Sequence, residues 1–185
     1  MRVITGSARG VRLQELEGMD TRPTTDRVKE GLFSAIQFEL EGRRVLDLFA
    51  GTGQLGIEAL SRGADFAVFL DCRRDAQQRI RANLHATHLE QRARVLDGEA
   101  LHYLQSCSER YGLIFLDPPY RTGLLRQALE HIAGFDICAP HGIIVAEHPV
   151  EETLPELPAP YRLRRSYRYG KIAVTLFERE GEAQT

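Results

Sequence analysis

Five stretches of the chain are apolar almost without interruption: RVLDLFA (44–50), FAVFLD (66–71), ARVLD (93–97), YGLIFLD (111–117) and GIIVAEH (142–148). A strand reads this way when both its faces are buried, as in a parallel sheet covered by helices. The segments between them carry apolar residues at helical spacing. Val28, Leu32, Phe33, Ile36 and Leu40 share one face, and Thr25 or Asp26 supplies a cap, so a helix is predicted from 26 to about 40. Further helices are predicted over 56–62, 74–87, about 99–106 and 124–133. Repeated strand–helix units of this kind build a doubly wound α/β domain. After a connection containing Pro155, Pro158 and Pro160, YRLRRSYRYG and KIAVTLFERE alternate like an antiparallel pair. At the other end, RVITGSARGVRLQ reads as two short strands around a glycine turn. The expected organisation is an N-terminal β-hairpin extension (1–20) followed by one domain (21–185).

Ligands of such sheets bind beyond the carboxyl ends of the strands. Asp47, Asp71, Asp97 and Asp117 each stand at or near such an end. One acid there is unremarkable, but four form a costly arrangement unless polar partners are supplied.

Composition narrows the function classes only a little. The chain of 185 residues has a formal net charge of −2, which does not advertise nucleic-acid binding. Its positive charge is nearly all arginine, since Lys29 and Lys171 are the only lysines. Arginines cluster with Tyr161, Tyr167 and Tyr169 in RLRRSYRYGK, which is either a solvated strand face or an RNA-facing surface of phosphate contacts and stacking planes. No apolar run is long enough to span a membrane and no signal-peptide pattern is present, so a cytoplasmic protein is expected. Cys72, Cys107 and Cys138 are scattered without CxxC spacing, so reduced thiols are expected, with no metal site.

GTGQLG (51–56) fits the glycine pattern that binds dinucleotides between a strand and a helix, with Asp71 further on to hold a ribose. Asp47 argues against a pyrophosphate, because its carboxylate would face the same crevice. A ligand with an ammonium group and no phosphate would be attracted, and S-adenosylmethionine (SAM) fits. Gly51 and Gly53 then allow close backbone approach, and Asp47 orders the loop and attracts the ammonium. Asp71 accepts from the ribose hydroxyls, and Asp97, followed by Gly98, accepts from the adenine amino group.

LIFLDPPY (113–120) ends a buried strand with a carboxylate, two prolines and an aromatic ring. An exocyclic amino nitrogen of a base has its lone pair delocalised into the ring, and becomes nucleophilic as the group loses planarity. Two acceptors around it hold that geometry and stabilise the positive charge that develops. The Asp117 carboxylate and the Pro118 carbonyl would be those acceptors. Pro118 and Pro119 stiffen the loop and offer no competing donor, and Tyr120 gives a flipped-out base a face to stack on. Taken alone, Asp-Pro-Pro is also an ordinary strand-ending turn.

TRPTTDRVKEGLF, VLDLFAGTGQLGIEALSRGA and LIFLDPPY, in this order and spacing, resemble the bacterial 16S ribosomal RNA guanine-N2 methyltransferases along nearly the whole chain. The resemblance implies a seven-stranded SAM-dependent methyltransferase sheet of Rossmann-like type, mostly parallel with an antiparallel C-terminal strand. It implies that Arg22 and Thr24 lie over the methionine end of SAM, with Arg22 as carboxylate partner, and that Phe49 joins the cofactor site. It also implies ribosomal RNA or an assembling small subunit as partner, and a monomer. The chain departs from the family where Gln54 replaces a small residue and where Asp71 replaces Glu. Competing readings are an adenine-N6 DNA methyltransferase, a nicotinamide-dependent oxidoreductase, and a SAM- or RNA-binding module without catalysis. The compact chain without a DNA-recognition domain favours RNA over DNA. Asp47 disfavours the oxidoreductase, and the intact DPPY disfavours the binding module. Arg2, Arg9 and Arg12 of the hairpin, with the C-terminal Arg/Tyr segment, are expected to hold RNA.

Overall fold

The computed structural model describes residues 1–16 and 26–182. The strands β1 (Arg44–Asp47), β2 (Phe66–Asp71), β3 (Ala93–Asp97), β4 (Tyr111–Leu116), β5 (Cys138–Pro149), β6 (Tyr161–Tyr169) and β7 (Ile172–Arg179) form one sheet in the order β3-β2-β1-β4-β5-β7-β6. The first five run parallel, while β7 is antiparallel to both β5 and β6. The order reverses between β1 and β4, the switch point at which open α/β sheets bind ligands.

Helices α1 (Asp26–Ala35), α2 (Gln54–Ser61) and α3 (Arg74–Thr87) cover one face through Leu32, Phe33, Ile57, Leu60, Ile80 and Leu84. Helices α4 (Ala100–Ser106) and α5 (Leu124–Gly134) cover the other through Leu104, Leu125, Leu129 and Ile132. Both faces of the central strands are therefore buried, which is why their sequences lack alternation. Helix α1 stops before the predicted residue 40, giving way to a 3-10 turn over Gln37–Glu39. Ile36 and Leu40 remain fully buried, so the apolar face persists while the backbone tightens to enter β1. Helix α2 starts two residues earlier than predicted, directly after the glycine loop.

The predicted N-terminal hairpin is reduced to one antiparallel bridge, Arg2 with Arg12, flanked by Val3 N–H to Val11 carbonyl (3.0 Å) and Leu13 N–H to Met1 carbonyl (3.1 Å). Its backbone polar groups go to the domain instead. Ile4 and Thr5 N–H donate to the two Glu58 carboxylate oxygens (2.8 and 3.0 Å), and Ala8 N–H donates to Ser61 Oγ (3.0 Å). Glu58 also receives Arg62 Nε (2.8 Å) and faces Lys29 Nζ at 3.6 Å, with Lys29 and Glu58 both fully buried. Asn83 ties two loops together: its amide donates to the carbonyls of Gln14 (3.1 Å) and Thr52 (2.9 Å) and accepts from Gln14 N–H (2.7 Å). These contacts press the segment against the glycine loop, where Thr52 Oγ1 lies 3.7 Å from Met1 Sδ.

Candidate active site

Alternation and register together decide which residues share the switch point. In β1, Val45 packs under the α1–α3 helices and Leu46 under α4 and α5, so Asp47 points to the α1–α3 side. Parallel pairing matches Asp47 with Phe69 and Phe115, Asp71 with Asp97, and Leu116 with Ala146. Counting along each strand puts Asp47, Asp71, Asp97 and Asp117 on that same side at the carboxyl edge, together with a fifth acid, Glu147 of β5.

The glycine loop is held by two of these acids. Asp47 is 3% exposed, and its Oδ2 accepts the N–H of Gly56 at 3.0 Å. A Cβ at Gly56 would stand 2.3 Å from the Phe69 ring, so only glycine lets α2 approach the sheet this closely. Gly51 and Gly53 take left-handed φ values of +54° and +78°, which glycine adopts without strain. Asp71 Oδ2 accepts the Gly51 N–H (2.9 Å) and Oδ1 accepts the Arg73 N–H (2.9 Å). The neighbouring acid Asp97 is exposed, and Gln77 Nε2 bridges its Oδ1 (2.8 Å) to the Asp71 carbonyl (2.9 Å). Phe49 is half-buried against the α4/α5 core, and Gly98 follows Asp97 beside Leu70. Arg22 and Thr24 lie outside the described residues.

At β4 the chain runs from Leu116 into Asp117, buried Pro118, exposed Pro119 and half-buried Tyr120. Thr122 Oγ1 donates to the Pro119 carbonyl (2.8 Å), closing the turn; among the described residues no hydrogen bond is made to the Pro118 carbonyl. The Tyr120 hydroxyl donates to Glu147 Oε1 at 3.0 Å. Glu147 is 5% exposed.

The electrostatics of these acids follow from their crowding. Burial pushes Asp47 up to about 7, opposed by the Gly56 N–H and reinforced by the charge of Asp71. Asp117 is partly accessible yet surrounded by protein, and it is raised well above the usual carboxylate range. Burial is again the main cause, followed by the charges of Glu147 and Asp47. A cation brought to this edge would relieve both shifts.

The arrangement fits the donors of SAM. Its ammonium, ribose hydroxyls and adenine amino group all donate, and the edge offers mainly acceptors. One acceptor is orphaned: Gln54 Oε1, at the start of α2, is buried without a hydrogen-bond partner. A Cβ at Gly51 would enter open space, so the backbone there is approachable.

Glu147, Gln77 and Asn83 were not among the residues singled out from sequence. Glu147 carried a legible signal, an acid at the end of an apolar strand, spaced by two from Val145 and Ile143. Gln77 and Asn83 lie within the predicted helix 74–87 and gave none. The C-terminal tyrosines divide between the two cores, with Tyr167 and Tyr169 half-buried. Tyr161 is buried in the α4/α5 core, and Tyr167 and Tyr169 pack against the other. In the same segment Arg162 is paired with Glu178 and Glu180, and Arg164 with Glu39 and Glu178.

A seven-stranded sheet of this order, with a glycine loop after β1 and DPPY after β4, defines a methyltransferase domain of Rossmann-like type. The solved Escherichia coli structure of yhhF, provisionally titled a methyltransferase, superposes with a TM-score of 0.88 at 37% identity, covering 98% of this chain and 99% of that one. Residues 1–178 match the model of a family described as Conserved hypothetical protein 95. Ribosomal RNA small subunit methyltransferase D of Escherichia coli is 36% identical over 185 residues, covering 100% of this chain and 93% of the relative. YlbH of Bacillus subtilis, provisionally named a rRNA methyltransferase, is 41% identical over 184 residues, with 98% and 100% covered. The chain belongs to this family of ribosomal RNA methyltransferases.

Proposed function

We propose that the protein transfers a methyl group from SAM to the exocyclic N2 of a guanine in small-subunit ribosomal RNA. The observation that carries the reading is the placement of Asp117, at the end of β4, on the same side of the sheet as the acids that hold the glycine loop. An amino group gripped by Asp117 then lies beside the cofactor's methionine end, at the switch point. Relatives named as small-subunit ribosomal RNA methyltransferases support the RNA assignment.

Bound there, SAM supplies an electrophilic methyl carbon on a positively charged sulfur. Asp71 and Asp97 accept from the ribose and adenine ends, while Asp47 and the Gln54 amide oxygen favour the ammonium end. The family resemblance assigns the methionine end also to Arg22 and Thr24, which lie outside the described residues. On the substrate side, the Asp117 carboxylate and the Pro118 carbonyl accept the two amino hydrogens, turning the nitrogen's lone pair out of conjugation. Pro118 and Pro119 keep both acceptors in place, and Tyr120 stacks on the base. As the N–CH₃ bond forms and the S–CH₃ bond breaks, positive charge leaves sulfur and appears on N2, where Asp117 stabilises it. The extra proton passes to water, which leaves neutral S-adenosylhomocysteine and the methylated amine.

RNA is held by the N-terminal segment and by the Arg/Tyr segment of β6, Arg162 and Arg164 excepted. Arg9 and Arg12 are exposed on a segment that touches the glycine loop, whereas Arg162 and Arg164 of β6 are neutralised by glutamates. Mapping methylated nucleotides in ribosomal RNA with and without the protein tests the assignment. N2-methylguanine that depends on the protein is the expected result. Methyl groups on adenine alone would overturn the guanine reading, and tight NAD binding without SAM binding would overturn the methyltransferase reading.

A further inference from the structure

Glu147 is a costly residue where it stands. It is 5% exposed at the carboxyl end of β5, one register step past the Leu116–Ala146 pair and therefore beside Asp117. Asp47, also buried, adds a third acid to the same edge. An apolar residue or an amide would fill the position without like-charge repulsion, so packing does not call for an acid here. What a carboxylate offers is a strong, fixed acceptor, and one group that uses it is the Tyr120 hydroxyl at 3.0 Å. Tyr120 needs such an anchor. It follows the stiff Pro118–Pro119 pair and is itself half-exposed, and its hydroxyl reaches across to β5.

We propose that Glu147 is a positioning residue of the methyl-transfer site, fixing the plane of the Tyr120 ring through its hydroxyl and so presetting the platform on which the target base stacks. This rests on the reading of Tyr120 as the base platform. Glu147 also acts on Asp117 through its charge. Among the described residues the ionisable groups facing Asp117 are Glu147 from β5 and Asp47 from β1, and both make Asp117 hold its proton to higher pH. Ionised Asp117 stabilises the positive charge developing on the amino nitrogen better than the neutral acid does, so methyl transfer has an acid limb whose position depends on Glu147.

Kinetics on the ribosomal RNA position modified by the wild-type protein test this, using Tyr120→Phe, Glu147→Leu, their double variant and Glu147→Gln. Tyr120→Phe and Glu147→Leu are each expected to raise KM for RNA roughly fivefold or more with a smaller effect on kcat, a fraction of one stacked base. The double variant is expected to be no worse than either single one. Glu147→Gln keeps an oxygen for the Tyr120 hydroxyl and restores KM, while the acid limb of kcat moves down by roughly one pH unit. The proposal is overturned if the two single effects multiply in the double variant, or if Glu147→Gln damages KM as Leu does and leaves the acid limb in place. Identifying the methylated nucleoside separates the two readings: a product other than N2-methylguanine removes the guanine assignment but leaves the Tyr120–Glu147 coupling measurable.

Discussion

Two buried acidic centres lie within the same domain and are built in opposite ways. Around Glu58, the buried carboxylate is met by opposite charge: Lys29, Arg62 and two backbone N–H groups converge on it, and Lys29 Nζ also donates to the Arg2 carbonyl at 2.6 Å. Around Asp117, carboxylates meet carboxylates, with Asp47 and Glu147 both raising its affinity for a proton. The first centre joins α1, α2 and the N-terminal segment, and its electrostatics are settled by folding alone. Among the described residues the second is left with acceptors in excess, which suits it to a cationic cofactor and an amino group. Burial of charge is thus a poor guide to role; whether the charge is balanced within the chain is a better one.

Breaking the balanced centre should have the largest effect. Glu58→Ala leaves Lys29 buried without its carboxylate and frees the Ile4 and Thr5 N–H groups. A loss of about 3–5 kcal/mol in unfolding free energy is expected in urea titrations. The pair variant Lys29→Met with Glu58→Gln should lose less. Equal losses would show that the ion pair is not what the centre contributes.

Breaking the unbalanced centre should cost activity and not stability. Asp117→Ala is expected to lower single-turnover methyl transfer roughly a hundredfold or more at saturating SAM, the scale for one preorganised electrostatic partner. Asp117→Asn, which keeps an oxygen acceptor, should be impaired less. Thermal stability should hold or rise in both, because a like charge is removed. A large fall in melting temperature with Asp117→Ala would erase the contrast between the two centres.

The pH dependence of ligand binding sharpens the comparison. Asp47, with its folded value near 7, holds a proton that the unfolded chain releases near 4. Its contribution to stability is therefore greatest at low pH and declines as pH rises through this window. A positively charged ligand favours the ionised acids, so SAM affinity should increase from pH 5 to pH 8 with release of protons. S-adenosylhomocysteine, whose sulfur is neutral, should show a shallower dependence. Calorimetry in buffers of different ionisation enthalpy measures both, and identical slopes would mean that the sulfonium does not sense these acids.

The smallest expected effect concerns the surface. Arg9→Ala with Arg12→Ala should weaken RNA binding and lower the salt slope by about 1–2, with SAM affinity unchanged. An unchanged slope places the RNA elsewhere.

The five parallel strands were legible in the chain, because burial on both faces leaves an unbroken apolar signature, and so was the chemistry that depends on neighbours in the chain. The Asp117–Tyr120 loop and the Gly51–Gly56 loop are local devices, and their residue types state their constraints. Only the tertiary structure decided which side chains converge from afar. Tyr120 and Glu147 are 27 positions apart, and Ala8 reaches Ser61 across 53. Whether an acid at a strand end faces the site depends on parallel register, and a shift of one residue would turn Glu147 to the other side. The C-terminal tyrosines make the same point in reverse. Their alternation with arginine was legible, but the irregularity between Leu163 and Arg165 in the β6–β7 pairing was not, and Tyr161 packs against one core while Tyr167 and Tyr169 are half-buried against the other.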